Sequence, residues 1–244
     1  MEEECNQWER IAGEFLEKEM FYQAANQYKH AADCYLDKVI EMTRKAAENY
    51  HLYAEQSVEK DEHKAAATAY FEAATQYRQV SDFATALTLY ENAAKEALLV
   101  RRTETAAQAN LWAAFSCHKL GNKEYFLTCA KNMGDLYMKA AEKALDDGKA
   151  ERAVIDYSLA ALGFATIDKM EKAKELIEKA KLVIDKTTWD WLQQLLSFSE
   201  ALSKNDLDEA AELLGEFTEE ETIQEVMGAS LDIREQIARQ RRRK

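Results

Sequence analysis

The residues able to do chemistry are few, and their spacing suits little of it. The histidines are His30, His51, His63 and His118, and none forms a His-Glu-x2-His pair. The cysteines are Cys5, Cys34, Cys117 and Cys129, without a Cys-x2-Cys pair among them. His30 and Cys34 stand one helical turn apart, but two ligands make neither a closed nor a catalytic zinc site. Cys117 and His118 are neighbours and point to different faces of a helix. No Gly-x-Gly-x2-Gly or Gly-x4-Gly-Lys-Ser/Thr loop is present to cradle a phosphate. The 45 acids read mostly as solvated helix faces, and "EEET" at 219–222 as favouring a helix N-terminus. These residues predict no enzyme, no metal and no cofactor. With no visible signal peptide and no N-x-Ser/Thr sequon, they also predict reduced thiols in a reducing compartment.

Charge narrows the partners. The formal net charge is −13, and the last six residues, "RQRRRK", supply five positive charges, so residues 1–238 carry −18. A body this acidic repels nucleic acid over most of its surface and favours basic partners. The tail has three readings: a disordered solubilising end, an electrostatic clasp for an acidic partner or membrane surface, or a nuclear localisation signal. No apolar run approaches the roughly 20 residues that span a bilayer.

The elements that must position these groups are helical. The chain has no proline and seven glycines, and Ala, Leu, Glu and Lys dominate it. A pattern of Ala, three residues, Tyr, two residues, Ala recurs in "AANQYKHA" (24–31), "AATAYFEA" (66–73), "ALTLYENA" (86–93) and "AVIDYSLA" (153–160). Its spacing places all three side chains on one helical face, a ring between two small residues. Such faces let a neighbouring helix come close. The bulky centres of the apolar patches run Tyr28, Tyr50, Tyr70, Tyr90, Trp112, Tyr137, Tyr157, Ile177, in steps of 20 to 25 residues. Leu195 and Leu214 continue the series less regularly. One helix and a short turn fill each step.

Polar or turn-forming clusters punctuate the series at 60–61, 81–82, 101–103, 121–122, 146–148, 167–168, 186–188 and 204–206. Ser81, Asp82 and Thr187 are candidate N-caps, and Gly121 and Gly148 suit the left-handed position after a helix end. The helices starting near Met20 and Lys38 show no clear break between them. The expected fold is all-α: a right-handed superhelix of tetratricopeptide-like helical hairpins, about twelve helices, with a C-terminal helical bundle. The expected organisation is a hairpin array over 1–186, a bundle over 187–238 packed on it and carrying Trp189 and Trp191, and a basic tail over 239–244.

The Ala/Tyr pattern matches the second helix of a tetratricopeptide hairpin, and "MGDLY" (133–137) resembles the Leu-Gly-x2-Tyr of the first. Hairpins closed by a C-terminal helical bundle resemble the soluble NSF attachment proteins, the SNAP family. The resemblance is most specific in "LLSFSEALSKNDLDEAAELLGEF", through Leu195–Leu196, Glu200–Ala201, Asn205–Asp206 and Phe217. It implies a non-enzymatic adaptor, cytoplasmic and peripheral at membranes, that holds a helical SNARE-type bundle and presents acids to an AAA ATPase of the NSF type. Glu200 matches one of the ATPase-facing acids. Where members carry two more, this chain has Ser203 and Lys204, and Asp206, Asp208 and Glu209 lie close by. Members touch membrane through an apolar N-terminal loop, for which Met20, Phe21 and Tyr22 are the candidates here. Members end on an apolar residue; here Lys244 ends the sequence. The alternative function is a generic tetratricopeptide-type scaffold that binds a peptide or protein partner.

Overall fold

Good helix formers, without proline to interrupt them, give a chain that is helical over most of the residues the structure describes. A computed structural model describes residues 2–35, 38–185, 190–217 and 221–242. Among the described residues twelve helices follow one another: α1 (Glu2–Leu16), α2 (Phe21–Cys34), α3 (Val39–Glu59), α4 (His63–Gln79), α5 (Phe83–Leu99), α6 (Thr103–Lys119), α7 (Lys123–Asp146), α8 (Ala150–Thr166), α9 (Met170–Ile184), α10 (Asp190–Lys204), α11 (Leu207–Glu216) and α12 (Glu221–Arg242). This is the all-α helical-repeat architecture that the 20-residue spacing predicts. Thr187 and Trp189 lie outside the described residues, as do Glu219, Glu220 and Lys244.

The chain divides into two units, Met1–Ser116 and Cys117–Lys244. In the first, each of the helices α1 to α4 packs on the next, and the Tyr90 ring of α5 stacks at 6.4 Å on Trp112 of α6. In the second, α7 packs on α8, α8 on α9, α9 on α10, α10 on α11 and α11 on α12. There α10 and α12 also lie against α8, so α8 is covered from several sides and is buried along most of its length.

The Ala/Tyr faces make the core. Ala24, Ala31, Ala66, Ala73, Ala86, Ala93, Ala153 and Ala160 are fully buried, and Tyr28, Tyr70, Tyr90 and Tyr157 are buried between them. Every bulky centre from Tyr28 to Ile177 is buried, and so is Leu195, while Leu214 is half-buried. One point differs from the expectation. The pattern occurs on α2, α4, α5 and α8, and α4 and α5 are packed neighbours. It therefore marks a helix held between two others, not only the second helix of a hairpin. The hairpin nearest the tetratricopeptide pattern is α7–α8, where "MGDLY" and "AVIDYSLA" meet. A side chain at Gly163 would lie 2.7 Å from the Ala130 carbonyl, and one at Gly134 would press on Phe164 at 3.3 Å. Gly163 must be glycine for the helices to cross this closely, whereas a side chain at Gly134 would require the Phe164 ring to give by a few tenths of an ångström.

The turns share one geometry. After α1, α3, α4, α5, α6, α7, α8 and α10 a residue with positive φ reverses the chain: Glu19, Asp61, Ser81, Arg101, Gly121, Gly148, Asp168 and Asn205. Each time two backbone bonds close the turn, as in Asp82 N–H to the Tyr77 carbonyl (2.9 Å) and Ser81 N–H to the Arg78 carbonyl (2.9 Å). This is the Schellman closure. Gly121 and Gly148 occupy the left-handed position as expected. Ser81 occupies it too and does not cap; Asp82 caps α5 by accepting from Thr85 N–H at 3.2 Å.

A further correction concerns the thiols. Cys5 and Cys34 form a disulfide that ties α1 to α2, where reduced thiols were expected; Cys117 and Cys129 are buried and free of disulfides. Helical packing brings together two cysteines 29 residues apart, which their spacing in the sequence does not reveal.

Candidate interaction site at the C-terminal turns

The α10–α11 turn gathers the acids that the sequence singles out. Leu195, Leu196 and Phe198 bury one face of α10, and its last turn ends in the exposed Lys204. Asn205 then takes the left-handed conformation, and Asp206 becomes the N-cap of α11, accepting from Glu209 N–H at 3.1 Å. Asp206, Asp208 and Glu209 are all exposed. Their negative charge at a helix N-terminus complements the macrodipole, so the acids stabilise the turn that displays them.

Glu200 differs from them. It sits one turn earlier, half-buried, between Lys181 (2.9 Å) and Lys204 (2.8 Å). Burial works to raise its carboxyl, but hydrogen bonds from Lys204 and Lys181 prevail and hold it below its ordinary value. Lys204 is raised in turn by its hydrogen bond to Glu200, with Glu209 also contributing. Glu200 is thus already partnered within the chain, whereas Asp206, Asp208 and Glu209 face solvent. Ser203 is buried and donates to the Glu200 carbonyl at 2.8 Å, so it faces the interior.

What sequence reasoning missed lies behind this turn. Arg234 of α12 is buried at 1% exposure. Its guanidinium donates to Asp168 Oδ1 at 2.8 Å and to Asn205 Oδ1 at 2.6 Å. Asp168 and Asn205 are the left-handed residues of the α8–α9 and α10–α11 turns. One side chain therefore pins two turns from a third element. Burial works to raise the Asp168 carboxyl, but hydrogen bonds from Arg234 and Arg241 prevail and hold it below its ordinary value. Arg241, in the expected tail, pairs with the second Asp168 oxygen. The tail is not a disordered end as far as Arg242, because α12 runs through it. A signal for Arg234 did exist: it continues the apolar stripe Met227–Leu231 at helical spacing, and an arginine on such a stripe needs buried partners.

Met20, Phe21 and Tyr22 stand elsewhere, at the N-terminus of α2 and not in a loop. Tyr22 packs on Tyr50 at 5.8 Å and Tyr53 at 5.1 Å, yet Met20 and Tyr22 keep more than a third of their surface exposed. His30 lies against the Trp8 ring at 5.3 Å, and Cys34 is committed to its disulfide. His63 Nδ1 lies 2.7 Å from Glu96 Oε2. Among the described residues no group of three His, Cys, Asp or Glu is placed to hold a metal, and no helix is long and apolar enough to cross a membrane. The fold and the exposed acidic turn define a helical-repeat protein with a charged C-terminal face. No protein-family model matches the chain, and no curated protein matches it in sequence.

Proposed function

We propose that this chain is a non-enzymatic adaptor of the SNAP type, linking a helical SNARE-type bundle to an AAA ATPase of the NSF type for disassembly in membrane trafficking. The observation that carries the reading is the acidic first turn of α11. It combines three solvent-facing carboxylates with a rigid backbone set by a Schellman closure and an N-cap. A surface of this kind steers and orients a basic partner and weakens with salt. In this reading the adaptor works in the cytoplasm, and Met20, Phe21 and Tyr22 supply its peripheral membrane contact.

The test uses purified components: an assembled SNARE bundle, an NSF-type ATPase, ATP and the full chain. The adaptor reading expects ATP-dependent disassembly only when the chain is present. A chain that binds neither the bundle nor the ATPase contradicts it. One observation favours a second reading, a scaffold that binds a peptide or protein partner without an ATPase. The Cys5–Cys34 disulfide suits an oxidising compartment. Quantifying free thiols in protein isolated from its host under alkylating conditions separates the two: four thiols favour the cytoplasmic adaptor and two favour the scaffold.

A further inference from the structure

The first hairpin is fastened at both ends, and one fastening is covalent. Where α1 turns into α2, Met20 N–H donates to the Phe15 carbonyl at 3.0 Å. At the open end the Cys5–Cys34 disulfide joins the start of α1 to the last residue of α2. Between these ends α1 is thinly held. Among its described side chains only Cys5 and Ala12 are buried, and Cys5 is itself half of the bond. Trp8, Ile11 and Phe15 are half-buried, with the Trp8 ring 5.3 Å from His30. Tyr35 O–H is shared between Asn6 Oδ1 and Glu9 Oε2, and Glu9 pairs with Lys45 of α3 at 3.4 Å. That ion pair is partly exposed, and such pairs contribute little. By contrast α4 and α5 each bury seven residues and need no cross-link. A terminal helix with so little buried belongs to the low end of local stability.

We propose that the Cys5–Cys34 bond is a redox latch on α1: a dithiol reductant opens it, and α1 then leaves α2 while the helices beyond stay folded. Cys34 is half-buried and Cys5 is buried, so the attacking thiolate bonds to Cys34 Sγ and Cys5 leaves as thiolate. The second thiol of the reductant then displaces Cys34. The reductant gives up two electrons and ends as its own disulfide. Cys5 and Cys34 take up those electrons and two protons and end as thiols. Release uncovers Trp8 and the flank of α2 that carries His30. The redox state thus decides whether the packed array begins at α1 or at α2.

The test follows amide hydrogen exchange by mass spectrometry in the full chain, oxidised and after excess dithiothreitol. Intact mass after alkylation reports whether the bond has opened. Reduction should quicken exchange in α1 by about tenfold or more, the scale on which a cross-link between residues 29 apart shifts a local equilibrium. Exchange in α4 and α5 should stay unchanged. Cys5→Ser with Cys34→Ser should show the fast α1 from the start and no response to dithiothreitol, which excludes an effect through Cys117 or Cys129. A bond that stays closed in the folded chain overturns the latch, as does α1 exchange that reduction leaves unaltered. Quickening that spreads through α4 and α5 overturns it too, because the bond would then brace the whole unit.

Discussion

The turns of the two units share a backbone and differ in what their side chains do. Asp61, Ser81 and Arg101 in the first unit, and Asp168 and Asn205 in the second, all take positive φ and all close with the same pair of backbone bonds. In the first unit these side chains are exposed to solvent. In the second, Asp168 and Asn205 are gathered by one buried arginine. A left-handed non-glycine residue costs about 1–2 kcal/mol relative to its right-handed form. In the first unit that cost returns only a short connection. In the second it also places an acceptor for Arg234 and sets the orientation of the acidic turn beside it. The same local device serves connection in one unit and positioning in the other.

The largest effect that breaks the comparison lies in the first unit, whose stability rests on its Ala/Tyr faces. Tyr70→Ala should cost roughly 3–5 kcal/mol, the usual loss for a truncated buried aromatic. Urea unfolding measures it, and a loss under about 1 kcal/mol would mean that this face is not core. In the second unit Arg234→Met should cost roughly 1–3 kcal/mol, because Asp168 and Asn205 both lose a buried donor while Arg241 still pairs with Asp168. Hydrogen exchange should quicken at both pinned turns and stay unchanged at Ser81 and Arg101.

Acid should separate the units next. Asp168 and Glu200 are depressed in the fold, so their contribution is present above the ordinary carboxylate range. It is lost as pH falls through their lowered values. Stability of the second unit should therefore decline on acidification below the ordinary range, and less steeply in Asp168→Asn. A slope that Asp168→Asn leaves unaltered would contradict the pinned-turn account. The smallest effect sharpens the contrast most. Ser81→Gly should stabilise by about 0.5–1 kcal/mol through relief of the left-handed conformation. Asn205→Gly should gain nothing, because it removes an acceptor from Arg234. Equal gains at both sites would erase the distinction.

Much of the first unit is legible in the sequence because its core is local. Ala24, Tyr28 and Ala31 share a face through helical spacing alone, and turn clusters mark where α3, α4, α5 and α6 must end. The left-handed residues were half legible. Glycine announces Gly121 and Gly148, whereas Arg101 and Glu19 carry no such mark and obey the packing of the helices around them. The break between α2 and α3 lacked any turn signal in sequence. The acids of the candidate site were found by type and place, but their inequality was not. Glu200 is occupied by Lys181, which comes from α9 and reaches it only through tertiary packing. Arg234 with Asp168, and Cys5 with Cys34, are likewise long-range pairs that helical periodicity does not encode.

The most direct test of the central claim is the affinity of an NSF-type ATPase for the chain with the acidic turn reversed. Asp206 must be kept, since replacing an N-cap costs about 1 kcal/mol and would confuse docking with folding. Asp208→Lys with Glu209→Lys should weaken binding by about tenfold or more, with helicity intact and the parent's own affinity falling as salt rises. Binding of the reversed chain at the parent's affinity and salt dependence would contradict the account.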